Sequence, residues 1–363
     1  MKTKIIRIIL FFLIILIIPA FTLFGEKESI SYNENRTLAE MPKLSFDTWK
    51  SRSFMNGLSD FFSDHFVCRE GFIRLKNTAD KLTGKNEIKG VFELNGSLIQ
   101  LFRNDNPKIT DRNIRTVNSL AEKVGDTPVY FVPVATAQEK YKSDLPSYLD
   151  TDDESEYIEY CSEKLNGVRL VDVNGAVMNE DYAFYRTDHH WTSNAAYAAY
   201  KVLGTELGYK PLELKSETLR DDFKGTLYSK TLDESIEADE IIRFGGDSDA
   251  VLTVNGEKQP LYCDERLGEK DKYLYFLGGN YGICTVTNPK ADGKILIIKD
   301  SYANCLVPLL SKHFGEITLL DTRYCSQDDI NSLDFTQYDK IMVLFNVSGF
   351  SEERSLSLLD TVQ

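Results

Sequence analysis

The chain has 363 residues, with 42 Lys and Arg against 56 Asp and Glu, a formal net charge of −14. An apolar fraction of 42% is that of a globular protein and excludes a disordered, collagenous or polytopic membrane chain. Its acidity, without a basic stripe, excludes a nucleic-acid binder, and its length suits one large domain with additions.

Lys2, Lys4 and Arg7 precede a nearly unbroken apolar run from Ile8 to Phe24, after which Glu26, Lys27 and Glu28 turn the chain polar. A positive flank followed by an apolar core reads as an export signal. No small-x-small cleavage site follows. An uncleaved anchor at about 8–24 is therefore expected, with a cleaved signal as the alternative. In both cases the positive flank stays inside and the rest becomes extracytoplasmic, at the cell envelope. An exported location permits disulfides. The cysteines are Cys68, Cys161, Cys263, Cys284, Cys305 and Cys325, without a C-x-x-C pair. Cys263 and Cys284 could pair if they lie on neighbouring strands.

Residues 25–105 read as a membrane-proximal helical and hairpin region. It has amphipathic segments near 46–63 and 69–82, and an alternating stretch Val91–Leu101 around the hairpin signal Asn95-Gly96. From about 106 to 363 the pattern is α/β. Ile114, Val117, Leu120, Ala121 and Val124 mark one helix face. Val129–Val134 and Val168–Val173 read as strands, separated by a helical stretch at about 154–165. Thr192 can cap a helix through Ala195, Ala196 and Ala199 to about Leu207. Lys294–Ile298, Ile317–Leu320 and Lys340–Phe345 complete the set. Short apolar runs alternating with helices predict a mainly parallel sheet of about five strands flanked by helices. The stretch at about 208–290, with Asn255-Gly256 and many turn residues, reads as a β-rich insertion serving as a lid or a substrate platform.

Open parallel sheets place their sites beyond the carboxyl ends of the strands. Lys294–Ile298 leads into Lys299-Asp300-Ser301-Tyr302, which puts Ser301 on a strand-to-helix turn. The Tyr302 amide, near a helix start, could help stabilise an oxyanion. The bland alternative is a Ser or Asp merely capping that helix. No G-x-S-x-G elbow is present, so an ordinary α/β-hydrolase is not indicated. A serine nucleophile needs a base, and the base an orienting carboxylate. Thr187-Asp188-His189-His190-Trp191-Thr192 supplies both. In an extended segment Asp188 and His190 face one site and His189 faces away. Trp191 could stack on a sugar ring or simply pack in the core. A competing reading gives Asp188, His189 and His190 to zinc or manganese. No H-E-x-x-H or further ligand spacing supports it, so neither a metal nor a cofactor is assigned.

The Asp188-His189-His190-Trp191 element resembles the signature of the DHHW family, exported proteins common in Gram-positive bacteria and similar to the SGNH-hydrolase-like alginate O-acetyltransferases. Supporting stretches are Glu34-Asn35-Arg36, Phe276-Leu277-Gly278-Gly279-Asn280-Tyr281 and Lys299-Asp300-Ser301-Tyr302-Ala303-Asn304. The resemblance spans roughly 30–360. It implies an SGNH-like α/β fold, with Ser301 as nucleophile, His190 as base, Asp188 as its partner, and Gly279-Asn280 as a source of oxyanion donors. Lys299 departs from the pattern, standing where a glycine would complete Gly-Asp-Ser. It either alters the approach to the nucleophile or points into solvent.

Other residues past strand ends are Asp321 and Arg323, Thr136 and Gln138, and Asn346 and Ser348. Arg323 could bind a carboxylate or the oxyanion, or form a structural ion pair. The expected function is exported serine O-acetyl transfer to a polysaccharide. By the same resemblance, a membrane-bound O-acyltransferase would supply the acetyl groups. The alternatives are a carbohydrate acetyl-esterase and a non-catalytic glycan-binding surface protein.

Overall fold

The computed structural model describes residues 2–25, 27–34, 36–246 and 249–362. The chain divides into two compact units: Met1–Lys89 with Tyr228–Glu234, and Gly90–Leu227 with Ser235–Gln363.

The first unit is helical. Lys2–Phe24 forms one helix over the apolar run. Among the described residues no helix is long and apolar enough to cross a membrane. Two amphipathic helices follow, Ser53–Asp64 and Arg69–Leu82. Ion pairs tie the connecting segment to them. Arg36 bridges Glu34, at 2.7 Å, and Asp64, and Glu34 also meets Arg69. The Arg36 guanidinium holds the Asp64 carboxyl down at about 2. Glu34 and Arg36 thus serve packing in this unit, while Asn35 and Glu26 lie outside the described residues.

In the second unit, eight described strands form one sheet: β1 (Val129–Val134), β2 (Val168–Leu170), β3 (Val251–Val254), β4 (Glu257–Pro260), β5 (Ile283–Thr287), β6 (Lys294–Lys299), β7 (Glu316–Leu320) and β8 (Lys340–Asn346). Their order is β4-β3-β5-β7-β6-β8-β1-β2. The run from β7 to β2 is parallel throughout and uses the five apolar runs read from the sequence. β2 stops at Leu170, short of Val173, because Asp172 turns the chain by accepting the Asn174 amide at 2.8 Å.

The 208–290 stretch is not a detached insertion. β5 pairs antiparallel with β7, and β3 and β4 continue outward from it. An uncovered β7 edge would leave a row of unpaired backbone groups, and these strands satisfy it. Asn255 and Gly256 make the β3–β4 turn, both at positive φ. Ser216–Phe223 and Asp239–Phe244 form a separate ribbon.

Both faces of the central parallel strands are buried, as a parallel sheet requires. On β6, Ile295 and Ile297 join one apolar cluster with Trp191, Tyr200 and Tyr273, while Leu296 and Ile298 join the other with Ile114, Val117 and Leu120. Helix α1 (Pro107–Lys123) covers the second face with its apolar stripe. Helix α2 (Ser193–Leu207) covers the first, capped by Thr192 and ended by Gly208 in the left-handed region. Alternation places Lys299 on the same face as Ile295 and Ile297. Its side chain is fully buried rather than in solvent. All six cysteines are free thiols. Strand β3 separates Cys284, on β5, from the strand that Cys263 follows, so the condition for pairing them is not met.

Candidate active site

The chain leaves β6 at Lys299 and turns at once into a short 3-10 helix, Ser301–Cys305. Asp300 makes the turn. Its buried carboxylate accepts the Tyr302 amide at 2.9 Å and, from the end of β8, the Asn346 amide at 2.8 Å and Nδ2 at 2.7 Å. Two adjacent strand ends are thereby locked together, with the partly exposed Ser301 at their edge. The same bond corrects the expectation for Tyr302. Its amide is already taken by Asp300 and its ring is fully buried, so it offers no oxyanion donor.

The Thr187–His190 loop precedes α2. Asp239, fully buried on the ribbon, accepts the amides of Arg186 at 2.7 Å and Thr187 at 2.8 Å, and the Thr187 hydroxyl at 2.5 Å. This anchors the loop one residue before Asp188. Asp188 Oδ1 accepts the His190 amide at 3.0 Å and lies 2.6 Å from His190 Nδ1. Asp188 Oδ2 accepts the Thr226 amide at 2.8 Å and its hydroxyl at 3.0 Å. Burial opposes the charged carboxylate, but the neighbouring His189 and His190 rings and these hydrogen bonds outweigh it. The Asp188 carboxyl is held well below the usual range.

His190 Nε2 lies 2.7 Å from Ser301 Oγ. A carboxylate only accepts, so the His190 Nδ1 carries a proton toward Asp188, and in the neutral ring Nε2 accepts from the Ser301 hydroxyl. The ring is sandwiched. Tyr273 stacks on one side, with centroids 3.8 Å apart and 11° between planes, and His189 lies 3.9 Å away. The Tyr273 hydroxyl also donates to the Ser301 carbonyl at 3.0 Å. Burial and the charge of Asp188 push nearby Asp271 up to about 6, with His190 acting the other way.

His189 does not face away. Residues 186–190 are bent rather than extended, so strict alternation fails. His189 Nδ1 sits 2.7 Å from the Thr226 hydroxyl, and the residue lines a narrow cleft with Thr136, Asn346 and Ser348. Trp191 is fully buried and presents no face to a sugar. Its indole N–H donates to the Tyr302 carbonyl at 2.8 Å, as a buried indole requires. Arg323 is fixed by two bonds to Asp321, at 2.8 and 2.6 Å. Thr136 gives its amide, at 2.6 Å, and its hydroxyl, at 2.5 Å, to the buried Glu154. Gln138 is spent on the Phe102 amide and the Asp152 carbonyl.

Asn280 borders the Ser301 turn: its Oδ1 accepts Asn304 Nδ2 at 3.0 Å. Gly279 is partly exposed beside it. Ligand atoms of Asp188, His189 and His190 lie within 4.8 Å of one another. Both Asp188 oxygens, His189 Nδ1 and both His190 nitrogens are already paired within the site, which fits proton transfer better than ligation. The sequence reading missed Tyr273, Thr226, Asp239 and Asp271, all of which come from the stretch taken for an insertion.

The family model described as DHHW protein matches residues 82–320, and the chain belongs to that family. Among solved structures it is similar to a DHHW family protein from Eubacterium siraeum, at 23% identity over 75% of this chain and 94% of that one, with a TM-score of 0.63. It is also similar to Bacillus cereus PatB1, at 18% identity over 73% and 98% of the two chains, with a TM-score of 0.61. PatB1 carrying a sulfonyl adduct matches at 16% identity over 75% and 100%, with a TM-score of 0.60. These structures share the α/β fold with its large mixed sheet and flanking helices. No curated protein matches the chain.

Proposed function

We propose that this member of the DHHW family is an SGNH-like serine O-acetyltransferase that acylates a cell-surface or secreted polysaccharide through an acetyl-Ser301 intermediate. The observation that carries the reading is the continuous chain from Asp188 through His190 to Ser301, with links of 2.6 and 2.7 Å. This is the geometry of a nucleophile, its base and the group that orients the base. Ser301 Oγ attacks the carbonyl carbon of an acetyl ester while its proton passes to His190 Nε2. Collapse of the tetrahedral adduct returns that proton to the departing alkoxide and leaves acetyl-Ser301. A sugar hydroxyl then repeats the sequence in reverse, with Asp188 stabilising the imidazolium in both steps.

In this reading the helix Lys2–Phe24 anchors the protein at the outer face of the cytoplasmic membrane. A membrane-bound O-acyltransferase passes acetyl groups outward, since acetyl donors are made inside the cell. The positive flank and the apolar run support that placement.

The test is mass spectrometry of the full chain incubated with a small activated acetate. The expected result is one added acetyl on the Ser301 peptide, discharged by a glycan acceptor and absent in Ser301→Ala. Unmodified Ser301 with undiminished ester turnover overturns the mechanism. Unmodified Ser301 without turnover favours the non-catalytic glycan-binding reading. Discharge at equal rates with and without glycan marks an esterase.

A further inference from the structure

A lysine is buried directly behind the proposed nucleophile, and the mechanism above does not use it. Lys299 ends β6, two residues before Ser301, and its side chain is 1% exposed. Burying an ammonium is costly unless its protons are matched. Here three acceptors surround it: Asn304 Oδ1 at 2.7 Å, Asn280 Oδ1 at 3.5 Å and Asp321 Oδ2 at 3.8 Å. Asp321, itself fully buried, is shared with Arg323.

Burial draws the Lys299 ammonium's pKa down and the Asp321 carboxylate draws it up; protonated beside Asp321, it has three donors and no acceptor. The Asn304 atom 2.7 Å from it must therefore be the amide oxygen. That choice turns the Asn304 nitrogen toward Asn280, at 3.0 Å, so the Asn280 atom it meets must in turn be an oxygen. The lysine meets that same Asn280 oxygen. One donor-only group thus sets the polarity of two successive amides. The outer result is an Asn280 whose Oδ1 is held inward by two donors and whose Nδ2 donates to no protein atom among the described residues. Asn280 is partly exposed and borders the Ser301 turn.

We propose that Lys299 is a positioning residue that orients Asn280 so that its Nδ2 is presented to the oxyanion formed at Ser301. The inference rests on the acyl-transfer reading above for the oxyanion at Ser301, while the polarity of the relay is independent of it. Where a glycine would sit in a Gly-Asp-Ser turn, this chain has a charged strut that fixes an amide. A neutral or apolar side chain there would leave the two asparagines free to flip together.

The experiment is a double-mutant cycle on acetyl-ester turnover by the full chain, joined to an NMR readout of the Asn280 side-chain amide. Removing an oxyanion donor costs roughly 100- to 1,000-fold in kcat, so Asn280→Ala is expected to fall in that range. Lys299→Met is expected to lose at least about tenfold in kcat with KM little changed, because substrate binding is not its task. The double variant should be no worse than Asn280→Ala alone, because Lys299 acts through Asn280. Losses that multiply, or a folded Lys299→Met with undiminished kcat, overturn the proposal. If Lys299→Met does not fold, Asn304→Asp replaces it. That change keeps an acceptor for the lysine and removes the donor to Asn280, and it is expected to lower kcat in the same non-multiplying way.

The amide signal separates this proposal from the functional reading. In the native chain the two Asn280 Nδ2 protons should give one dispersed pair, which moves or broadens in Lys299→Met. An unmoved Asn280 pair in that variant overturns the positioning role even if acetyl-Ser301 forms. A moved pair in a chain that never acetylates upholds the relay and overturns only the acyl-transfer reading.

Discussion

Gly225 is a test of how finely the Asp188 carboxylate is placed. A Cβ added there would lie 2.3 Å from Asp188 Oδ2, 2.4 Å from its Cβ and 2.7 Å from its Cγ, where ordinary contact begins at 3.4 Å. Relief requires a displacement of about 1 Å, the deficit between 2.4 Å and ordinary contact. If Asp188 moves, its 2.6 Å link to His190 lengthens out of hydrogen-bonding range. If the 225–226 backbone moves instead, the Thr226 amide and hydroxyl leave Asp188 Oδ2, and the Gly225 amide leaves the Thr187 hydroxyl at 3.0 Å. Either route disorders the group that, in the proposed mechanism, orients the base. Misplacement on this scale costs on the order of 100-fold in rate. The overpacking itself costs about 1–3 kcal/mol, too little to unfold a domain of this size. Gly225→Ala is therefore expected to stay folded, judged by a cooperative thermal transition, while kcat for an acetyl ester falls about 100-fold. Combined with Asp188→Asn it should add little further loss, because both act on one group. A folded Gly225→Ala with undiminished kcat, or losses that multiply, would refute the reasoning.

Two further outcomes follow from the same geometry. His190→Ala should lower acetyl-ester kcat by at least about 100-fold as the base is lost. His189→Ala should lower it only roughly two- to tenfold, the worth of one aromatic stacking contact, and His189→Phe should recover most of that; equal damage from both alanine variants would reinstate the metal reading. Burial raises the Glu154 carboxyl to about 7, against the opposing Thr136 hydrogen bonds, from an ordinary 4.5. A carboxyl raised in the folded state adds stability that is full below about 4.5 and declines as pH rises through 7, by roughly 3 kcal/mol in all. Glu154→Gln should therefore show a smaller fall in Tm between pH 5 and pH 8 than the native chain, and parallel Tm curves would contradict it.

What could be read from the sequence was local. Five apolar runs carry the parallel half of the sheet, and four of them are recognisable alone because they are buried on both faces, while the edge strand Val168–Leu170 is only partly covered. Ser301 stands out because it follows a strand and opens a helical turn, and Asp188 with His190 because they directly precede a helix. The antiparallel half of the sheet was not legible. Ile283–Thr287 carries no mark that it will pair with β7, and only the need to cover that edge decides it. Asp239 and the Gly225-Thr226 clamp are equally silent. A buried aspartate and a glycine–threonine step read as turn chemistry until they meet a loop dozens of residues upstream.

Not every side chain beside the Asp188–His190 pair faces the cleft. Trp191 and Tyr302 instead face each other's segments. The Trp191 indole donates to the Tyr302 carbonyl, and the Tyr302 hydroxyl donates to the His189 carbonyl at 2.6 Å. These reciprocal bonds stitch the Asp188–Trp191 loop to the Ser301 turn. That matters because the 2.7 Å link between His190 and Ser301 joins residues 111 apart in sequence and has no backbone pairing of its own to hold it. Tyr273 adds a third stitch, since one ring stacks on His190 while its hydroxyl holds the Ser301 carbonyl. The four-residue motif therefore divides its labour. In the proposed mechanism Asp188 and His190 form the proton relay, His189 supports the His190 ring, and Trp191 helps fix the distance at which that relay meets Ser301.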